Sequence, residues 1–449
     1  MKRQFDDNLY QFDRPQSSYW EATAPAAALD VSAIMRDDSC EVAIIGGGYT
    51  GLSAALHLAR DFQADVRVLE AGHIGWGASG RNGGFCCTGG TGVHGQDLVR
   101  LVGLDAVREY YKAQLAAVEL VRQIAADEHI DYQAQGDAEV VVAHTARAFK
   151  RMHADHELMT RHLGLQAELI SAGECRERYY DCTENFGALV NRPAFGLHPL
   201  RYCRGLAAAA SRHGARVHAQ SRVIEWSRSS DGRHRLVTRS GTLTARKVIF
   251  CSNGFIQEDL HAEFFGRAMP VISAIIATRP LRPEELAAQH WRTENPAINS
   301  RHVLNYFRLL PDQRFLFGGR GSTNGSPDNE QRTYADMERR FRAIWPAWSE
   351  VEFEYRWHGL ICMTASLCPT IGQLAADNSV YFGFGYHGNG VNTATWTGQQ
   401  LANWIGTGRE PKELPAIVRG LSRRYPLPGL RQTYLRFGIF LARQLDRIG

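Results

Sequence analysis

Long apolar segments, strong net charge and closely spaced cysteines are all missing from this sequence. No run of 18 apolar residues occurs, and the first 20 residues lack the apolar core of a signal peptide. We therefore expect neither a membrane span nor export, and we place the protein in the cytoplasm. The formal net charge of +4 over 449 residues is too small to suggest a nucleic-acid partner. None of the nine cysteines forms a C-x-x-C pair or a zinc-type array, which predicts reduced thiols.

Lysine is also scarce, with five in the chain, so few candidates exist for any role that needs a lysine. Histidine is more frequent in and beside the helix predicted over residues 145–163. A metal site would need carboxylates or cysteines clustered with these histidines, and the sequence shows none. We therefore expect a solvated helical face and no bound metal ion. The histidines concerned are His144, His153, His156 and His162.

Residues 41–70 carry the pattern of a complete β-α-β unit built to hold a dinucleotide. A short apolar strand leads into Gly46, Gly48 and Gly51, which fill a G-x-G-x-x-G spacing. The first glycine allows a tight turn, the second lets a pyrophosphate approach the backbone, and the third lets the following helix pack against the strand. A second strand ends in Glu70, where an acidic side chain can accept both ribose hydroxyls of an adenosine.

Two further glycine-rich stretches occur later in the chain. Residues 72–84 have the small side chains that are typical of backbone running close to a flat or phosphorylated group, with Arg81 and Asn82 as directed donors. Residues 381–391 repeat the order strand, glycines, helix, and a helix N-terminus there can stabilise negative charge on a cofactor. Following a dinucleotide unit, both stretches predict additional contacts with the same cofactor.

The remaining periodicity predicts an α/β protein with two lobes. Alternation over residues 266–320 predicts an antiparallel hairpin sheet over the substrate, whereas the apolar strand of residues 247–251 returns to the dinucleotide lobe. We expect a leader, a discontinuous dinucleotide-binding domain, a substrate domain and a helical tail. Their respective ranges are 1–40; 41–95, 196–262 and 357–410; 96–195 and 263–356; and 411–449.

The three glycine motifs in this order resemble the FAD-dependent amine and amino-acid oxidoreductases of the D-amino-acid oxidase and sarcosine oxidase superfamily. The likeness covers nearly the whole chain and is greatest for the gamma-glutamylputrescine oxidoreductase group. It is carried by GGGYTGLSAALHLA, IGWGASGRNGG, HPLRYCRGLAAAA and LPGLRQTYLRFG. The resemblance implies a Rossmann-like FAD-binding domain of the glutathione-reductase type and a substrate domain built on a mixed or antiparallel sheet.

The resemblance also implies which residues hold FAD. They are Gly46, Gly48, Tyr49, Thr50, Gly51, Glu70, Ala71, Ala78, Ser79, Arg81, Asn82, Gly83, Gly84, Val223, Asn253, Gly254, Gly385, His387, Gly388, Asn389, Gly390 and Val391. We expect non-covalent binding. Covalent attachment through Cys362 is the alternative, because sarcosine oxidases carry their flavin-linked cysteine at the corresponding position, although the putrescine-type relatives lack it.

The implied reaction is the oxidation of a primary or secondary amine to an imine, which hydrolyses to an aldehyde and ammonia or an amine. An apolar pocket would keep the amine neutral, and its expected walls are Tyr306, Phe307, Trp357 and Trp396. Arg308 is the expected partner of a substrate carboxylate. The candidate catalytic residues are His387, Arg81, Tyr306 and Arg308.

Several alternatives remain open at this point. The enzyme could act on sarcosine, glycine or a D-amino acid, or the chain could be a flavin-binding subunit without turnover. The electron acceptor could be oxygen or another compound. The basic amphipathic segment at residues 427–449 is expected to dock on the protein, with attachment to a membrane surface as the alternative.

Overall fold

The computed structural model describes residues 4–25, 31–93 and 95–448. The helices are α1 (Tyr19–Thr23), α2 (Tyr49–Phe62), α3 (Gly95–Val102), α4 (Leu104–Asp127), α5 (Ala146–Glu157), α6 (Ala172–Arg178), α7 (Pro199–Arg212), α8 (Pro283–Ala288), α9 (Pro327–Ile344), α10 (Val391–Thr407) and α11 (Arg431–Ile448). A π-helical turn, Leu158–His162, continues α5.

Strands alternate with these helices along the whole chain. They are β1 (Asp38–Ile45), β2 (Val66–Leu69), β3 (Phe85–Cys86), β4 (Glu139–Val142), β5 (Gln166–Ile170), β6 (Ala188–Arg192), β7 (Phe195–Gly196), β8 (Arg216–His218), β9 (Glu225–Arg228), β10 (His234–Val237), β11 (Thr242–Phe250), β12 (Ala268–Pro280), β13 (Ala297–Asn299), β14 (Tyr306–Leu309), β15 (Arg314–Arg320), β16 (Phe353–Thr364), β17 (Thr370–Leu374) and β18 (Asp377–Phe384).

The first sheet is built around β1, whose last four residues are buried as expected for a central strand. The strand order is β17-β18-β11-β1-β2-β8, with β10 and β9 branching from β11. β1 is parallel to both β2 and β11, and Ile45 lies beside Leu69 and Phe250 in the register. The turns that follow these three strands therefore meet at one edge of the sheet.

The second sheet has the order β16-β12-β15-β14-β13-β4-β6-β5 and is antiparallel except for the β13–β4 pair. One of its faces is covered by α9 and the aromatic side chains that follow it, including Trp345 and Trp348. Because side chains alternate along a strand, Val140 and Val142 enter this core while Glu139 and Val141 face the opposite side. That opposite side borders a large cavity.

Helices α2, α7 and α10 cover one face of the first sheet and share a core with α4. The α2–α10 crossing is close, since a Cβ on Gly398 would lie 2.4 Å from the carbonyl oxygen of Thr50. The N-termini of α2 and α10 are thereby held near each other beside the cavity.

The predicted leader packs on the protein body. Tyr19 and Trp20 are buried, and the Trp20 indole donates to the carbonyl of Asn82 at 2.9 Å. This part of the chain also contains the short helix α1. Residues 1–3 and 26–30 of the predicted leader, and residue 449 of the predicted tail, lie outside the described residues.

The predicted α/β fold with a mixed second sheet is confirmed. One expected boundary is wrong, because residues 357–364 belong to β16, which pairs along its length with β12 of the second sheet. α11 docks by Leu435 and Ile439 on Val271, as expected, whereas Phe437 on its outer face is 61% exposed. Across the described ranges, every helix is too short or too polar to cross a bilayer.

Candidate cofactor and substrate site

The three glycine-rich stretches meet along one cavity between the two sheets, with a volume of about 1110 Å³. Its lining combines the edge of the first sheet where β1, β2 and β11 end with side chains from β4, β6, β12, β14 and β15 of the second sheet. The cavity is therefore continuous from the dinucleotide turn to the predicted substrate lobe.

The first glycine turn has the close packing that its spacing predicts. Gly46 has a φ of +117°, and a Cβ on Gly51 would lie 2.0 Å from the Gly46 carbonyl oxygen. Gly48 precedes α2 and offers no side-chain cap to it. The first turn of α2 thus presents backbone N–H groups at the cavity, which is the usual site for a phosphate.

Glu70 lines the cavity at the end of β2. Its carboxylate accepts the backbone N–H of Gly47 at 2.7 Å and that of Gly72 at 2.9 Å. Burial raises the pKa of Glu70, while these amides oppose the shift. A carboxylate has about four acceptor positions, so Glu70 retains capacity to accept ribose hydroxyls.

The second glycine-rich stretch adds a buried guanidinium. Arg81 lies 4.0 Å from the centroid of the Trp76 ring and donates from Nη1 to the carbonyl of His358 at 3.4 Å. Its Nη2 is buried and has no hydrogen-bond partner among the described residues. Burial lowers the pKa of Arg81 to about 9. A group that accepts hydrogen bonds or carries negative charge would satisfy this donor.

The third stretch brings a second helix N-terminus to the same cavity. Gly390 precedes α10 and offers no side-chain cap. Asn389 donates to the carbonyl of Cys87 at 2.8 Å, and the backbone N–H of His387 donates to the carbonyl of Cys362 at 3.0 Å. Asn389 and His387 therefore tie this turn to Cys87 and Cys362, which also line the cavity.

Most of the predicted site residues are brought together on the cavity wall. Those lining it are Gly46, Gly48, Tyr49, Thr50, Glu70, Ala71, Ala78, Ser79, Arg81, Asn82, Gly83, Val223, Asn253, Tyr306, Cys362, His387, Gly388, Asn389, Gly390 and Val391. Four predicted glycines instead lie behind the wall, where they allow close backbone packing. These are Gly51, Gly84, Gly254 and Gly385.

Arg308 does not have the role that the sequence suggested. It shares a face with Tyr306, as strand parity predicts, but it is 1% exposed and does not line the cavity. Its guanidinium donates to the carbonyls of Gly83 and Leu197 and to the side chain of Gln135. These protein acceptors occupy the donors that a substrate carboxylate would need.

Three of the four expected pocket walls are also wrong. Phe307 lies in the core on the far side of the second sheet, and Trp396 lies in the core shared by α2 and α10. Trp357 is buried beneath the cavity, where its indole donates to the carbonyl of Arg81 at 2.8 Å. Tyr306 alone of the four lines the cavity, with its hydroxyl 3.0 Å from Ser273.

Sequence reasoning missed several polar residues that the second sheet places in the cavity. Arg320, on β15, has a buried Nη1 without a hydrogen-bond partner in the described chain, and burial lowers its pKa to about 10. Ser273 is directly opposite it on β12. On β4 and β6, Glu139 and Asn191 form another such pair. The sequence could have indicated these residues, because they are isolated polar residues in otherwise apolar strands.

The donor set fits FAD. The N-termini of α2 and α10 follow glycines and suit a pyrophosphate and an electron-rich ring, with the Tyr49 N–H of α2 already donated to Ser79 Oγ at 3.0 Å. Glu70 suits a ribose, and the orphaned Nη2 of Arg81 suits an acceptor on the cofactor. By contrast, the described residues contain no group of three or more His, Cys, Asp or Glu side chains placed to hold a metal ion.

Comparisons with known proteins show which family the chain belongs to. The family model DAO, FAD dependent oxidoreductase, matches residues 41–404. Gamma-glutamylputrescine oxidoreductase of Escherichia coli (strain K12) is 31% identical over 445 residues, which cover 96% of this chain and 99% of that protein. The probable oxidoreductase OrdL of Rhizobium meliloti (strain 1021) is 31% identical over 393 residues, or 86% of this chain and 88% of that protein.

Solved structures show the same fold at lower identity. Glycine oxidase from Bacillus cereus ATCC 14579 has a TM-score of 0.68 and 20% identity, covering 86% of this chain and 99% of that chain. L-proline dehydrogenase from P. horikoshii has a TM-score of 0.67, also at 20% identity, over 85% of this chain and 96% of that chain. The chain therefore belongs to the DAO family of FAD-dependent oxidoreductases, and its activity falls within the oxidation of amines or amino acids.

Proposed function

We propose that this chain oxidises an elongated amine of the gamma-glutamylputrescine type to an imine, which hydrolyses to an aldehyde and ammonia or an amine. Bound FAD supplies the two-electron oxidation of the carbon–nitrogen bond. The proposal places the enzyme in the cytoplasm, with oxygen or another compound as the electron acceptor.

The observation that carries the proposal is the extent of the cavity. Its volume of about 1110 Å³ exceeds the usual range for a single small ligand, about 300–1000 Å³. The part beyond the glycine stretches has mainly apolar walls, including Ile275, Ile298 and Leu360. Such walls disfavour an ammonium ion, so they promote the neutral amine that oxidation requires.

Several residues of the chain have proposed roles in this reaction. Tyr306, held by its contact with Ser273, would orient the substrate, and Arg81 and His387 would contact the cofactor at the cavity wall. Cys362 lines the cavity, but burial raises the pKa of its thiol to about 12. The reactive thiolate is therefore scarce at neutral pH, which favours non-covalent FAD.

Oxidation of an amino acid is the second candidate function, and Arg320 is compatible with it. A buried guanidinium with an unpartnered Nη1 on the cavity wall suits a carboxylate close to the reacting amine. Gamma-glutamylputrescine also carries a carboxylate, so Arg320 is compatible with both candidates and does not separate them.

A panel of amines tests the proposal. The purified enzyme is mixed without oxygen with gamma-glutamylputrescine, putrescine, sarcosine, glycine and D-alanine, and loss of the oxidised flavin absorbance is followed. We expect rapid bleaching by gamma-glutamylputrescine. Bleaching by the amino acids alone would establish the second candidate, and no bleaching by any compound would indicate a non-catalytic subunit. Parallel measurement of hydrogen peroxide separates oxygen from other acceptors.

We also propose that the first lobe is an FAD-binding domain of the glutathione-reductase type. The parallel order of β18, β11, β1, β2 and β8 supports this, together with the antiparallel β9–β10 extension on β11. The discontinuous domain boundaries expected from the sequence then apply, apart from residues 357–364.

A further inference from the structure

The part of the cavity lined by β4, β6 and α5, which we call the branch, has an apolar wall and one polar end. The floor consists of the cross-strand pairs Val141–Leu189 and Glu139–Asn191 on β4 and β6. The remaining walls come from α4, α5 and the π-helical turn that follows α5. The apolar lining residues of this branch are Val141, Met152, Leu158, Met159, Leu163 and Leu189.

Hydrogen-bond acceptors dominate the polar end. Glu139 is 7% exposed, and the Cys87 thiol and the Asn191 side chain are its hydrogen-bond donors. Asn191 is 8% exposed, and its Oδ1 has no hydrogen-bond partner within the described part of the chain. Two carboxylate oxygens and one amide oxygen therefore face a cavity that offers them few donors.

Positive charge is also missing from this end. Glu139 forms no ion pair in the described residues, and the causes of its pKa shift are burial and hydrogen bonds, with no basic side chain among them. Asp155 and Asp97 also line the cavity, but Asp155 differs from Glu139 because the charge of Arg151 acts on it, along with that of Asp97. A buried carboxylate without a cation is costly, and a ligand that brings one would offset that cost.

We propose that Glu139 and Asn191 form a subsite for the ammonium group at the far end of the substrate. An ammonium supplies up to three N–H donors and one positive charge, which match the acceptors at this end. The apolar wall would contact the methylene chain between the two nitrogens. This inference rests on the proposed function and narrows it to amines that carry a second, cationic group.

Binding of matched amines tests the subsite independently of turnover. The holoenzyme is titrated with 1,5-diaminopentane and with pentylamine, and binding is measured by calorimetry and by perturbation of the flavin spectrum. We expect the diamine to bind about 10- to 100-fold more tightly, as the loss of one charge-assisted hydrogen bond implies. Glu139→Gln should abolish this preference, and Asn191→Leu should reduce it.

Two control variants test whether the preference for the diamine depends on Glu139 itself. Glu157→Gln makes the same chemical change at an exposed position on α5 outside the cavity lining, and it should leave the preference intact. Asp155→Asn should also leave it intact. Equal binding of the two amines by the wild-type enzyme, or a preference lost in Asp155→Asn and kept in Glu139→Gln, would overturn the subsite. If the preference depends on Glu139 but no amine bleaches the flavin, the proposed oxidation fails and the subsite stands.

Discussion

At Gly51 the packing of α2 against the glycine turn leaves no space for a side chain. A Cβ there would lie 2.0 Å from the carbonyl oxygen of Gly46 and 3.0 Å from Ile44. We predict that Gly51→Ala displaces the turn, lowers stability by about 1–3 kcal/mol or more and reduces the FAD content of the purified protein. The ratio of flavin to protein absorbance measures this. Gly429→Ala is the matched control, because a Cβ at Gly429 meets nothing within 4 Å.

A second residue-scale prediction concerns the buried charge at Glu139. Burial raises its pKa from 4.5 to about 7, against hydrogen bonds from Cys87 and Asn191. Between these pH values the native protein retains a proton that the unfolded chain has released, so the free energy of unfolding falls as pH rises. Glu139→Gln removes the ionisable group and therefore removes this loss of stability at higher pH.

The Glu139→Gln holoenzyme should therefore be more stable than wild type at pH 8, by about 1–3 kcal/mol, with little difference near pH 5. Thermal unfolding midpoints at both pH values measure the effect. The other titratable groups near this end are Cys87, Tyr111 and Asp155, and the substitution leaves all three in place. The same stability difference at both pH values would contradict the prediction.

Single residues differ in how far sequence alone predicts them. Gly46, Gly48 and Glu70 were predictable because a dinucleotide turn fixes both spacing and residue type. The roles of Arg308 and Arg320 were not predictable, because the two residues lie on the two strands of one hairpin and either side chain could reach the cavity. Their roles differ because carbonyl groups of residues 83 and 197 surround Arg308, and these groups are distant from it in the sequence.

At the scale of elements, α11 has two apolar faces with different surroundings. Leu435 and Ile439 pack against Ile361 and Met363 of β16, which also line the cavity. Phe437 faces outward. Sequence periodicity predicted an amphipathic helix, but it could not show which face docks, because both faces carry large apolar side chains.

We predict that Leu435→Asp destabilises the protein by about 3 kcal/mol, because it buries a charge and opens a cavity beside β16. Phe437→Asp should change stability by less than about 0.5 kcal/mol, since this side chain is 61% exposed. Thermal unfolding and FAD content measure both variants. Equal loss in the two variants would show that the outer face is also buried in solution.

At the scale of the whole molecule, the sequence predicted three glycine stretches converging on one cofactor, and the cavity brings them together. The predicted sheets were correct in type, but β16 was assigned to the wrong lobe. Its glycine-containing sequence lies next to the β17–β18 strands along the chain, whereas its pairing partner, β12, is more than 70 residues away in the sequence. Such long-range pairing leaves no local signal.

The cavity lies between the two lobes, so its occupant should stabilise both. In the absence of FAD, the Nη2 of Arg81 and the N-termini of α2 and α10 lose the acceptor or negative charge that suits them. We predict that removing FAD lowers stability by about 3–4 kcal/mol relative to enzyme in a 100- to 1000-fold excess of FAD over its Kd. Thermal unfolding of the stripped and reconstituted protein measures the difference.

Fragments of FAD would show which part of the cofactor provides this stabilisation. ADP should restore part of the thermal midpoint, because Glu70 and the first turn of α2 lie at one end of the cavity and suit a ribose and a phosphate. Riboflavin should restore less, since it supplies neither group, and FAD should restore the full midpoint. Identical midpoints for stripped and FAD-loaded protein would mean that the two lobes are held together by their own contacts alone. The cavity would then have no role in joining them.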